Sequence, residues 1–283
     1  MDAVRRTEIT AGGLTFDARV AGPAGGPVVL LLHGFPESSR SWNAQLDALA
    51  QAGYRAVAFD QRGYSPGARP AGVEAYRLGE LVADAVAVID SLGVARVDVV
   101  GHDWGGAVAW HMAAGHPERV RSLAVVSTPH PAAFRAALAE SEGDQAQRSW
   151  YMTWFQTPEE PERVFLENDA AGLRGIYSGL PQDAVEEYVA LFRQPGALTA
   201  AINWYRAAGP DLTRETGPIT MPTLYVWSTD DIALGREAAE ATAGHVQGPY
   251  RFEVLEGVSH WIPEEVPDTL NGLLLEHLAA VAG

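Results

Sequence analysis

The sequence predicts an α/β protein whose doubly wound, mostly parallel sheet is interrupted once by a helical insertion. Strand-like and helix-like segments alternate up to about residue 131, an aromatic-rich helical stretch follows at 132–211, and strands then resume. Such β-α-β alternation favours parallel strands joined by right-handed crossovers. We therefore expect a core of residues 1–131 and 212–283 and a helical lid of residues 132–211.

The individual elements follow from local patterns along the chain. A hairpin is expected at residues 8–20, because Gly12 and Gly13 divide two alternating runs. Residues 28–32 form a continuous apolar run, which is typical of a strand buried on both faces. The remaining expected strands are 55–59, 97–100, 122–126, 223–227 and 251–255, and the expected helices of the core are 42–52 (capped by Ser38 or Ser41), 78–92, 104–114 and 266–280.

The composition excludes several classes of function. The chain has 283 residues, with 20 Lys and Arg against 36 Asp and Glu, so its net charge is −16. A binding face for nucleic acid or for an anionic membrane must be basic, so this balance argues against both partners. The apolar content of 47% is sufficient for one large α/β domain with a substantial core.

The chain contains no cysteine, which excludes disulfides, thiolate metal sites and cysteine nucleophiles. This composition fits a reducing cytoplasm. The N-terminal residues lack the apolar segment of a signal peptide, and no apolar run approaches the roughly 20 residues of a membrane span. We expect a cytoplasmic protein with no membrane partner, either a monomer or a homodimer.

The strongest motif is Gly-His-Asp-Trp-Gly-Gly at 101–106, between a predicted buried strand and a predicted helix. The small residues Gly101 and Gly105 permit a sharp strand-to-helix turn, which presents Asp103 at its tip. This is the nucleophile-elbow pattern, with an aspartate where many hydrolases have serine. Alternatively, Asp103 could serve only as the cap of the helix. We interpret the neighbouring His102 as a packing or hydrogen-bonding residue rather than a base.

A second motif, His-Gly-Phe-Pro at 33–36, directly follows the buried strand 28–32. In a fold with this elbow, such a loop supplies one backbone N–H of an oxyanion hole, and the residue after the nucleophile supplies the other. The candidate donors are the amides of Phe35 and Trp104. The loop could also be a turn without a catalytic role.

Two late segments complete a possible triad. Residues 257–261 place His260 after the last predicted strand, so that the chain order nucleophile, acid, histidine is satisfied. Another strand-end loop contains Asp230 and Asp231, one of which is expected to orient the imidazole. We favour Asp231, because its position three residues past Ser228 places it in the mouth of the loop.

These motifs, in this order, resemble those of the epoxide hydrolases in the α/β-hydrolase superfamily, with the haloalkane dehalogenases as near relatives. The resemblance covers nearly the whole chain. Residues 150–156 and 203–206 resemble the lid segments that carry two ring-opening tyrosines in epoxide hydrolases. The resemblance implies that Tyr151 and Tyr205 are this pair. Ser228 stands where a glycine is common in the family.

The resemblance implies an α/β-hydrolase fold and an enzyme that opens a small apolar epoxide to a diol with water, without metal or cofactor. Asp103 would form a covalent ester, and His260 would activate the water that cleaves it. Trp104, Trp154 and Trp204 would contact the substrate. A haloalkane dehalogenase with two indole N–H donors is the main alternative, a non-catalytic receptor is a remote one, and Asp103 excludes a serine esterase.

Overall fold

An eight-stranded, mostly parallel sheet forms the centre of the protein. The computed structural model describes residues 4–140, 143–209 and 216–282. The strand order is β1-β2-β4-β3-β5-β6-β7-β8. The strands are β1 (Arg5–Ala11), β2 (Leu14–Ala21), β3 (Val28–Leu32), β4 (Arg55–Phe59), β5 (Val97–His102), β6 (Val120–Val126), β7 (Thr223–Asp230) and β8 (Tyr250–Ser259).

The hairpin at the start of the chain forms the antiparallel edge of this sheet. Ala11 lies opposite Leu14, and the two intervening residues, Gly12 and Gly13, have φ angles of 58° and 80°. Two consecutive positive φ angles are what a tight two-residue hairpin turn requires. β2 also pairs antiparallel with β4, and every other neighbouring pair is parallel. The predicted fold class is confirmed.

Helices cover both faces of the sheet, as the continuous apolar runs of its strands require. Alternate residues of β3 enter two different cores. Val29 and Leu31 pack in the cluster that includes α1 and α12, whereas Leu30 and Leu32 pack in the cluster that includes α2 and α3. These helices are α1 (Asn43–Gln51), α2 (Leu78–Ser91), α3 (Trp104–Gly115) and, at the end of the chain, α12 (Pro267–Ala282).

The helical insertion lies between β6 and β7. Its helices are α4 (Pro131–Ala139), α5 (Asp144–Arg148), α6 (Trp150–Trp154), α7 (Glu160–Ile176), α8 (Gln182–Phe192) and α9 (Ala197–Ala207). Four residues with non-helical backbone angles, 167–170, interrupt α7. Two further short helices, α10 (Arg236–Ala241) and α11 (Ile262–Glu265), follow β7 and β8. The predicted end of the lid at residue 211 lies outside the described residues.

The predicted strands and helices differ from the observed ones by up to four residues at their ends. The helix expected at 42–52 begins with a separate 3₁₀ turn, Ser39–Trp42, before α1 starts at Asn43. Ser38 caps this turn by accepting a hydrogen bond from the Arg40 amide, whereas the Ser41 hydroxyl donates to the Ser38 carbonyl. Within the ranges described, no helix is both long and apolar enough to cross a membrane.

Candidate active site

Asp103 lies at the sharp turn between β5 and α3. Its backbone angles are φ 50° and ψ −121°, which is unusual for a residue with a side chain and costs on the order of 1–3 kcal/mol. The turn is crowded. A Cβ atom on Gly105 would lie 2.0 Å from the Leu32 carbonyl oxygen, and one on Gly101 would lie 2.3 Å from the Gly105 carbonyl oxygen. Glycine is therefore required on both sides of Asp103.

The loop after β3 holds the carboxylate of Asp103. The Phe35 amide donates to its Oδ1 atom over 2.8 Å, and the Phe35–Pro36 peptide bond is cis. Gly34 packs against the same side chain so closely that a Cβ there would lie 2.3 Å from Cβ of Asp103. The amide of Trp104 belongs to the first turn of α3, where N–H groups lack intrahelical acceptors. Of the two expected oxyanion donors, the Phe35 amide therefore contacts the Asp103 carboxylate, and the Trp104 amide follows Asp103 directly in the chain.

His260 and Asp231 form a buried pair behind Asp103. Nδ1 of His260 lies 2.8 Å from Oδ2 of Asp231, and Nε2 of His260 lies 3.6 Å from Oδ2 of Asp103. The second distance is too long for a hydrogen bond, so it represents an electrostatic contact. Asp230, the other candidate acid, is exposed at the end of β7.

The charges at this site reinforce one another. Burial alone would raise the pKa of Asp103, but the positive charges of His260 and His102, together with the Phe35 amide, lower it below its usual range. Burial would likewise lower the pKa of His260, yet the carboxylates of Asp231 and Asp103 raise it well above its usual range. The resting site thus favours an ionised Asp103 beside an imidazolium.

His102, next to the nucleophile, points away from the cavity into a buried network. Its Nε2 lies 2.9 Å from the His260 carbonyl oxygen and its Nδ1 lies 2.9 Å from Oε2 of Glu37. A carbonyl oxygen only accepts, so Nε2 carries a proton in this arrangement. Sequence reasoning did not identify Glu37, although a charged residue directly after the motif at 33–36 was a possible signal.

Tyr151 and Tyr205 converge from two different helices of the insertion. Their ring centroids are 5.8 Å apart in an edge-to-face arrangement, and Tyr205 also contacts the ring of Trp104 at 5.1 Å. Burial and the nearby Asp103 carboxylate raise the pKa of both phenols well above the usual value. Both hydroxyls are therefore protonated near neutral pH and available as hydrogen-bond donors.

A cavity of about 100 Å³ is lined by Asp103 and by both tyrosines. Of the three tryptophans expected to contact substrate, Trp104 and Trp204 line it. Trp154 is not part of the described lining, because its ring packs on Phe165 and Phe155 instead. The described lining consists of Leu78, Asp103, Trp104, Ala107, His111, Thr128, Pro129, Pro131, Phe134, Tyr151, Met152, Trp204, Tyr205, Ala208 and Leu234.

Several lining residues were missed by the sequence analysis. Phe134 from α4, Met152 from α6 and Leu234 from the loop after β7 supply apolar walls. Of these three residues, only Met152 could have been identified from the sequence, because it is adjacent to Tyr151. Among the described residues, no group of three or more His, Asp or Glu side chains is arranged to hold a metal ion.

The chain is similar to known proteins over nearly its full length. A family model described as the α/β-hydrolase fold matches residues 27–267. Epoxide hydrolase 4 of Mus musculus is 38% identical, over 94% of this chain and 77% of that protein. Epoxide hydrolase A of Mycobacterium tuberculosis is 32% identical, over 99% of each chain. The crystal structure of epoxide hydrolase A from Mycobacterium thermoresistibile superposes with a TM-score of 0.86 at 29% identity, covering 98% of each chain.

Proposed function

The chain belongs to the α/β-hydrolase fold family and to its epoxide hydrolases, and on that premise we propose that it opens epoxides to vicinal diols through a covalent ester of Asp103. The observation that carries this proposal is the shared cavity. A carboxylate with a lowered pKa and two protonated phenols, Tyr151 and Tyr205, line the same small apolar space. Ring opening requires these two kinds of group on opposite sides of one bond.

In the first step, Asp103 attacks one carbon of the epoxide and the carbon–oxygen bond of the ring breaks. The carboxylate is ionised without help from a base, and the N-terminus of α3 further stabilises its charge. The departing oxygen is an alkoxide, a poor leaving group unless it receives a hydrogen bond or a proton. Tyr151 and Tyr205 donate hydrogen bonds to this oxygen while the bond breaks. The alkoxide then takes up a proton whose net source is the imidazolium of His260, and this leaves a neutral imidazole.

In the second step, the neutral His260 takes a proton from water, and the resulting hydroxide attacks the carbonyl carbon of the Asp103 ester. The bond between that carbon and the diol oxygen then breaks, the diol leaves with the hydroxide proton, and the Asp103 carboxylate and the His260 imidazolium are restored. Ester formation removes the negative charge of Asp103, which is one of the causes that raise the pKa of His260. The pKa of His260 therefore falls once the ester has formed, so the imidazolium gives up its proton and the neutral imidazole can then accept one from water. Asp231 orients it, and the amides of Phe35 and Trp104 stabilise the oxyanion, with each donor contributing about 3–4 kcal/mol.

The tryptophans argue against the alternative of a haloalkane dehalogenase. Such an enzyme needs two indole N–H groups aimed at a halide. The indole of Trp204 instead donates to the Arg62 carbonyl oxygen over 2.9 Å, and Trp150 is exposed. Among the described lining residues this leaves the indole of Trp104, which hydrogen-bonds with the Tyr205 hydroxyl, and the tyrosine hydroxyls fit an epoxide oxygen better.

The substrate class follows from the lining of the cavity. Within the described residues it contains no Lys or Arg, and its walls are mainly apolar. We expect a small, uncharged, apolar epoxide. The insertion, residues 132–211, acts as a lid over a core of residues 1–131 and 212–283, because it supplies both phenols while the core supplies Asp103 and His260.

Isotope labelling tests the covalent step. In a single turnover with excess enzyme and styrene oxide in heavy-oxygen water, the first diol should carry oxygen from Asp103 rather than from solvent. Solvent label in that first diol would mean direct attack by water and would contradict the proposal. A parallel assay with 1-bromobutane should release no bromide. Bromide release with no diol from the epoxide would favour the dehalogenase.

A further inference from the structure

A buried glutamine of the insertion contacts the loop that carries Asp231. Gln145, on α5, is 3% exposed. Its Nε2 donates to the Ala233 carbonyl oxygen over 2.8 Å and to the Ser149 hydroxyl over 2.9 Å, and its Oε1 accepts from the Gly235 amide over 2.9 Å. Both protons of the amide group and its oxygen are therefore used. Two of the three bonds cross from the insertion to the core.

The same loop holds the carboxylate of Asp231. The amides of Ala233 and Leu234 donate to its Oδ1 atom over 2.8 and 3.0 Å, which turns Oδ2 toward Nδ1 of His260. Gln145 binds the loop at Ala233 and Gly235, on either side of Leu234. Fixing these two positions fixes the donors that orient the carboxylate.

Arg148, one turn further along α5, provides a second contact with this loop. Its Nη1 donates to the backbone carbonyl of Asp231, and its Nε donates to Asp144 on the same helix over 2.7 Å. Tyr151 follows in α6, only six residues after Gln145. The segment 145–151 thus contributes Tyr151, the proposed donor for ring opening. It also contributes two side chains, Gln145 and Arg148, that bind the loop of Asp231.

We infer that Gln145 is a positioning residue, assisted by Arg148, that keeps the His260–Asp231 pair competent for ester hydrolysis while α5 is docked on the loop. This role rests on the proposed function. Its physical basis is independent of the substrate. If the loop loses the Gln145 contacts, the amides of Ala233 and Leu234 are no longer fixed and Oδ2 of Asp231 is free to turn away from the imidazole.

A spectroscopic test needs no substrate. The Nδ1 proton of His260, shared with Asp231, should give a far-downfield proton resonance that is assigned by its loss in His260→Gln. In Gln145→Met, which keeps the side-chain length but forms no such hydrogen bonds, this resonance should broaden or shift upfield and exchange faster with water. Gln182→Met, on the exposed start of α8, should leave it unchanged.

A kinetic test separates the two half-reactions in rapid mixing with styrene oxide, followed by intact mass. Gln145→Met should slow loss of the ester about tenfold or more, since small misplacements of catalytic groups carry large costs. Ester formation should stay within about threefold of the unmodified protein, so the adduct accumulates. Arg148→Met should also slow loss of the ester. It replaces Gln145→Met in this test if Gln145→Met does not fold.

The outcomes distinguish this inference from the proposed function. If no adduct forms in either the unmodified protein or His260→Gln, the covalent mechanism is wrong, and the resonance still decides the role of Gln145. An unchanged resonance in folded Gln145→Met and Arg148→Met would overturn the inference. Equal slowing of both half-reactions would also overturn it, because a general structural defect predicts that result.

Discussion

Nε2 of His260 lies 3.6 Å from Oδ2 of Asp103, so the imidazole and the carboxylate interact by charge rather than through a hydrogen bond. Because of this contact, the charge of each residue affects the protonation of the other. While Asp103 is ionised, His260 remains protonated and stabilises it. In the proposed mechanism, ester formation removes the charge of Asp103, which lowers the pKa of His260 so that it can lose its proton and act as a base.

His260→Gln should therefore block the second step more than the first. We expect ester formation to persist and ester hydrolysis to slow by at least about 100-fold, as expected for loss of a general base. Intact-mass measurement after mixing with substrate should show a persistent adduct. His277→Gln, at a buried histidine of α12, is the matched control and should turn over normally. Consumption of substrate at the normal rate with no adduct would remove His260 as the base.

The tyrosine pair should control ring opening. Tyr151→Phe and Tyr205→Phe keep the rings, so we expect little change in stability, a loss of about tenfold or more in the alkylation rate for each, and near abolition for both together. Ester hydrolysis should change far less. Tyr250→Phe is the control, because no group of the described residues hydrogen-bonds with the buried Tyr250 hydroxyl. An alkylation rate within a few-fold of normal in the folded double variant would exclude both phenols.

Gly34→Ala should disable the nucleophile without unfolding the chain. The added Cβ would lie 2.3 Å from Cβ and 2.6 Å from Oδ1 of Asp103, so the carboxylate or the Phe35 amide must move. We expect both half-reactions to slow by about 100-fold, the typical effect of a lost oxyanion donor. A Cβ atom on Gly25 would meet no atom of the described residues within 4 Å, so Gly25→Ala should be neutral. Normal rates in Gly34→Ala would contradict the described packing.

The stability of the protein should fall in mild acid because of His130. Burial, followed by the nearby positive groups His245, His111 and Arg135, lowers its pKa to about 3. Its ring stacks on His245 at 4.7 Å, and its Nδ1 accepts from the Ala132 amide. The unfolded chain binds a proton below about pH 6.5, whereas the folded chain does not, so stability is full above that pH and decreases toward pH 3.

From pH 7.5 to pH 5 this histidine should cost about 2 kcal/mol of unfolding free energy. His130→Asn removes the titrating group, and an Asn side chain can still accept from the Ala132 amide. Urea denaturation at several pH values should then show a shallower acid slope for the variant. Identical slopes in the two proteins would show that His130 does not couple folding to protons.

Local patterns predicted much of this molecule. The run at 28–32 became β3, the glycine pair became the hairpin turn, and the motif at 101–106 became the turn that presents Asp103. Each of these depends on residues adjacent in the chain, where alternation, glycine content and apolar runs determine the backbone directly. For that reason the fold class and the position of Asp103 at a strand-to-helix turn could be read from the sequence.

Packing between distant segments decided the rest. Trp154 and Trp204 both lie on helices of the insertion, but only Trp204 lines the cavity, because the face that a helix buries depends on its neighbours. Likewise, nothing near Gln145 in the chain indicates Ala233, which it meets only after α5 docks on the core. Local sequence determined which elements form, and the tertiary structure determined which side chains meet, because contacts between remote residues arise only when those elements pack together.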